Sequence, residues 1–191
     1  MEDDPRIRFA TTEEFAAWIE THGEAPGGVW LMVPRAGSEL VGISYAEALQ
    51  VALAHGWIDG QRRGGDVEGV FLQRFTPRRA RSRWSQVNCA HVEKLIAEGR
   101  MTPRGMAEVE AAKADGRWEA AYAPASRMTV PDDFAAALAA RPGAREFFDG
   151  LDSGNRFAML HRIGAVKRAE TRARKIEEYA DLCARREKLH P

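Results

Sequence analysis

Five arginines fall within the eleven residues RFTPRRARSRW, at positions 74, 78, 79, 81 and 83, framed by Phe75 and Trp84. Guanidinium forks take carboxylates and phosphates through paired N–H donors, and a helix starting at Ser85 would add free backbone N–H groups to such an anion site. The flanking aromatics are suited to stacking on a base or ring. The competing reading is that these arginines pair with the N-terminal third and are solvated, as charge runs usually are. Residues 1–60 carry 3 basic and 10 acidic side chains, a net −7. Neither a P-loop nor a GxGxxG motif is present to favour phosphate.

The segment HGWIDG, residues 55–60, places His55 at a helix end, where it suits the last carbonyls, and Asp59 just beyond a strand. A carboxylate beside Trp57 and Ile58 needs a partner if buried, and an arginine of the 74–83 loop is the expected one. The alternative is a pocket-lining carboxylate that orients a basic ligand group or acts as general base. Cys89 and His91 stand two apart on one helix and do not face each other. With no HExxH and no paired CxxC, no metal or cofactor is expected. In KRAETRARKI, residues 167–176, Arg168, Arg172 and Lys175 share one helical face, either solvated or open to a phosphate or partner.

Capping signals locate the elements that carry these groups. Thr11 with Glu14 and Ser44 with Glu47 have capping-box spacing, opening helices that end at His22-Gly23 and Gly56. Val29 to Val33 reads as a buried strand ended by Pro34. Trp57-Ile58 and Val67 to Phe75 read as strands joined by a polar turn, Gln61 to Asp66. Ser85 caps a helix with Val87, Val92, Leu95 and Ile96 on its apolar side, and Thr102-Pro103 starts another that runs to about Asp115. From Pro131 the pattern is helical: Phe134 and Leu138, Phe147-Phe148, then Phe157, Leu160 and Ile163, and a last helix with Ala169, Ala173, Ile176, Ala180 and Cys183 as its stripe. Tyr122 to Thr129 is the linker.

The whole chain is 191 residues with 45% apolar and 29% charged side chains, enough to bury a real core and unlike a disordered or fibrous protein. No apolar run is long enough for a membrane helix, and the acidic start has no apolar core of a signal peptide. Two cysteines fit a reducing cytoplasm. A net charge of zero argues against coating nucleic acid, although it alternates in blocks: after the first −7 come +6 over residues 61–104, −4 over 105–155 and +5 over 156–191.

Taken in order, GVWL, SYAEALQVALAHGWIDG, LQRFTPRRARSRWS, EGRMTPRG and KRAETRARKI resemble the YdeI/OmpD-associated family of bacterial proteins over nearly the whole chain. The resemblance implies bacteriocin protection or stress resistance, association with an outer-membrane porin, and a front half related to the small YjbR/CyaY-like fold. It supplies no catalytic residues. Trp57, Asp59, Arg74, Thr76, Pro77, Trp84, Ser85, Thr171 and Arg172 stand where the family pattern expects them. His55 and Gly64-Gly65 are the visible variations.

The expected fold is therefore α+β: a small antiparallel sheet packed by helices over residues 1–125, with an all-helical module over 126–191 packed on it. The expected function is a cytoplasmic, non-catalytic binding protein with an unknown small anionic ligand or protein partner. Its candidate ligand-binding residues are Trp57, Asp59, Arg74, Thr76, Arg78, Trp84, Ser85 and Arg172. One alternative is an enzyme that modifies or hydrolyses a small toxic compound through Asp59. Another is nucleic-acid binding through residues 74–83 and 167–175.

Overall fold

The helix starts form where the capping residues require them. In the computed structural model, which describes residues 4–23 and 27–190, Thr11 accepts from the Glu14 N–H at the head of α1 (Thr12–His22). Ser44 makes a complete capping box with Glu47 at α2 (Tyr45–Ala54). Ser85 accepts from the Asn88 N–H at α3 (Gln86–Ala97), and Thr102 from the Gly105 N–H at α4 (Pro103–Ala114), with Pro103 inside the first turn. Each cap satisfies an N–H that the helix leaves open. Ala25 and Pro26, ahead of the first long strand, lie outside the described residues.

The chain divides into two compact units, Met1–Ala121 and Tyr122–Pro191. The first holds a four-stranded sheet in the order β1-β2-β4-β3, built from β1 (Arg6–Ile7), β2 (Val29–Pro34), β3 (Trp57–Gly64) and β4 (Val70–Pro77). The fold class is α+β, but the sheet is mixed: β1 runs parallel to β2, and only the other pairs are antiparallel. A two-residue strand has no alternation to read, so this edge was invisible in the sequence. Val29, Leu31, Val33, Phe71 and Phe75 turn to the helices and join Phe15, Ile19, Leu49, Leu53 and Trp57 in one buried core. Trp30, Val70 and Leu72 are also buried, yet outside that cluster.

The segment Gln61–Gly64, expected as a turn, continues β3. The ladder shifts register between Asp59 and Arg62, and the connecting turn comes later, over residues 65–69. Gln73 makes the shift tolerable. Its buried amide donates to the carbonyls of Gly60 (3.0 Å) and Gln61 (3.2 Å), which an irregular ladder would leave open. On α3, Val87 and Ile96 are exposed rather than core-facing, and the buried face is Asn88, Cys89, Val92 and Leu95.

The second unit is helical: α5 (Asp132–Ala139), α6 (Ala144–Asp149), α7 (Ser153–Gly164) and α8 (Ala169–Ala184). Its separate core comprises Phe134, Leu138, Phe148, Met159, Leu160, Ile163, Ile176, Tyr179 and Cys183 among others. Phe134 and Phe148 meet edge to face at 5.3 Å.

Candidate functional site

The register of β3 against β4 brings three of the expected residues to one end of the sheet: Trp57 pairs with Pro77, Ile58 with Thr76 and Asp59 with Phe75. Thr76 is half-buried on the face opposite Phe75. Trp57 is fully buried, packed edge to face on Trp18, and its indole N–H has no hydrogen-bond partner among the described residues. The partner of Asp59 is Tyr45, whose hydroxyl donates to the carboxylate at 2.9 Å. An arginine of the 74–83 loop was expected there. The reason for the difference is direction: Arg74, opposite Trp30 in the ladder, turns to the other face of the sheet.

Arg74 is instead held by Asp4, with Nε donating to Oδ2 at 2.6 Å and the fork closing on the same oxygen. Asp4 also accepts from the Gly28 N–H at 3.0 Å. Burial by itself raises the Asp4 carboxyl, but the Gly28 hydrogen bond and the Arg74 guanidinium outweigh it and hold the group below the usual carboxylate value.

Arg78, Trp84 and Ser85 form a second group where β4 leads into α3. Arg78 is buried, with its guanidinium carbon 3.4 Å from the Trp84 ring centroid and Nη1 donating to the Arg83 carbonyl. Trp84 is buried in turn against Trp118, with ring centroids 4.8 Å apart. Burial pushes the nearby Cys89 thiol up to about 11, against the opposing pull of the Arg78 charge. Of the loop arginines, Arg79 and Arg81 are exposed. Arg172 lies in the second unit and forms a two-pronged ion pair with Asp133, Nε to Oδ2 at 2.8 Å and Nη2 to Oδ1 at 3.0 Å, while Nη1 donates to the Ile163 carbonyl. Of the eight residues, Trp57 and Asp59 lie on one face of the sheet end and Arg74 and Thr76 on the other, Arg78, Trp84 and Ser85 gather where β4 leads into α3, and Arg172 stands in the second unit.

Two arginines not singled out in the sequence stand out on β3. Arg62 lies over Phe71, its guanidinium carbon 3.7 Å from the ring centroid, and Arg63 lies over Trp30 at 4.0 Å. Both are exposed, and neither forms an ion pair among the described residues. Because neighbouring strand residues point to opposite faces, they straddle the edge strand. With Arg74 beside Trp30, one face carries a row of Arg63, Trp30 and Arg74. No alternation carried on from Ile58 and Asp59 could have placed them, because the register shift between Asp59 and Arg62 exchanges the two faces and puts Arg62 on the side of Phe71 and Arg63 on the side of Trp30.

A cleft of about 530 Å³ opens elsewhere on this unit, walled by Ile19, Glu20, Thr21, His55, Thr102, Pro103 and Arg104. Asp59 does not line it. Among the described residues no group of three or more His, Cys, Asp and Glu side chains is placed to hold a metal, and no helix is long and apolar enough to cross a membrane.

Two families match this chain. Residues 7–108, just over half of it, match the family described as Domain of unknown function (DUF8412). Residues 127–186 match the family described as Bacteriocin-protection, YdeI or OmpD-Associated. No curated protein and no solved structure matches it.

Proposed function

The chain belongs to the first of these families, its residues 127–186 match the bacteriocin-protection, YdeI or OmpD-associated family, and on that premise we propose that it is a non-catalytic protection protein that holds an anionic ligand or partner on its sheet. The observation that carries this reading is the pair of arginines laid over aromatic rings, Arg62 on Phe71 and Arg63 on Trp30. Stacking costs a guanidinium none of its in-plane donors, so each fork is held in place while its N–H groups remain open to a carboxylate or phosphate. Arg74, half-exposed and braced by Asp4, shares the face of Arg63 and Trp30. Arg78, Trp84 and Ser85 serve in this reading as the frame that anchors the end of β4 to α3.

A thermal-shift screen tests the proposal with phosphorylated metabolites, organic acids, nucleotides and an acidic peptide, each at low and at physiological salt. A ligand at one hundred times its dissociation constant adds about 2.7 kcal/mol and raises the melting temperature visibly. The expected result is a hit that survives physiological salt and is lost in the double variant Arg62→Ala, Arg63→Ala, whose melting temperature without ligand stays near that of the parent. A hit unchanged in the double variant, or no hit from any of these anions, overturns the reading.

Two other readings fare less well on this geometry. Asp59 as a general base stands bonded to Tyr45 and outside the walls of the cleft. For nucleic-acid binding, Arg74 and Arg172 are each already engaged by a carboxylate.

A further inference from the structure

The cleft bounded by α1, the end of α2 and the start of α4 has the volume of a small-molecule site and converging polar groups of both signs. His55 is fixed within it. The ring Nδ1 stands 2.8 Å from the Val51 carbonyl, and since a carbonyl only accepts, Nδ1 carries a proton. That leaves Nε2 toward the cleft, 3.7 Å from the Glu20 carboxylate, with only 12% of the side chain exposed. Arg104, which also lines the cleft, is exposed and makes no hydrogen bond or ion pair with a described residue. Its guanidinium lies against Gly23, where any Cβ would collide with it.

The walls are rigidly joined. The Thr102 N–H and hydroxyl both donate to the Ala54 carbonyl, at 3.0 and 2.8 Å, and Gly105 packs so closely on that carbonyl that a side chain would not fit. The last turn of α2 and the first turn of α4 are therefore held at a set spacing, and with them His55 and Arg104.

The geometry points to a second binding site, separate from the sheet surface, for a small carboxylate that also carries a hydroxyl or amino group. The carboxylate meets the Arg104 fork, the cleft's cation with no carboxylate partner among the described residues. An ammonium donates to both His55 Nε2 and Glu20, and a hydroxyl to one of the two. Ile19 and Pro103 supply apolar contact for a short carbon frame.

The test is amide NMR titration of the full chain with L-serine, L-lactate, acetate, glycerol and inorganic phosphate at millimolar concentrations. Serine or lactate should move the amides of Thr21, His55 and Arg104 and bind more tightly than acetate or glycerol. Arg104→Gln should weaken that binding about tenfold or more, and His55→Gln should erase the preference over acetate. The double variant Arg62→Ala, Arg63→Ala should bind the same probe unchanged, which separates this site from the proposed function. Retention of full affinity in Arg104→Gln, a preference for phosphate over both carboxylates, or no shift at these amides overturns the assignment.

Discussion

Asp4 and Arg74 meet across seventy positions of sequence, and the pair shows how a surface arginine becomes structural. The Asp4 carboxyl titrates below its ordinary value of 3.8 in the folded chain, because the Gly28 N–H and Arg74 stabilise its charged form more than burial penalises it. A lowered folded value means stability that is fully present above the unfolded value and is lost as pH falls through the folded one. Urea unfolding of the parent and of Asp4→Asn should therefore differ at pH 6, with the parent more stable. The gap should close progressively below pH 4. A gap that is flat between pH 6 and pH 3 would show that the carboxylate charge is not what holds the pair. Asp59 illustrates the same point from the other side, since a residue identity legible in sequence did not reveal its partner, Tyr45.

The elements obey local rules closely, and a mutation series at their joints should rank accordingly. Ser44 closes both halves of a capping box on a helix whose other face is core. Its replacement by Ala should cost about 1 kcal/mol, the usual worth of such a cap. Gly105→Ala should cost clearly more, because its Cβ would fall on the backbone carbonyl of Ala54 rather than on a flexible side-chain end. Denaturant melts of the two variants would check the order, and a Gly105→Ala no worse than Ser44→Ala would mean that α4 slides freely on α2. The hairpin was the harder element to read. Its strand runs through four polar or glycine residues, Gln61 to Gly64, whose composition says turn while the ladder with Phe71 to Gln73 keeps them extended.

At the level of the whole molecule the two units own separate cores, with Phe75 central to one and Phe134 to the other, both fully buried. Phe134→Ala should remove about 3–5 kcal/mol from the helical unit. Hydrogen exchange would read it as faster exchange over residues 132–184, with β2 and β4 protected as before. Equal acceleration in the sheet would mean that the two units open together.

Helix starts, the α+β class and the core faces of α1 and α2 were legible in the chain itself, because caps and 3.6-residue periodicity are local chemistry, whereas Val87 and Ile96 of α3 and Ala169 and Ala173 of α8, expected in apolar stripes, are exposed. So was the likeness of the tail to the bacteriocin-protection, YdeI or OmpD-associated family, through KRAETRARKI, whereas the other four motifs lie within residues 7–108, which match a different family. Which arginine meets which carboxylate was not legible, nor that β1 joins the sheet in parallel, nor that Arg62 and Arg63 cap aromatic rings. Those depend on strand register and on which face a side chain leaves, and register is set only when distant segments pair. The cleft around His55 and Arg104 depends likewise on helices drawn from three parts of the chain, joined by a carbonyl that no spacing rule could pick out.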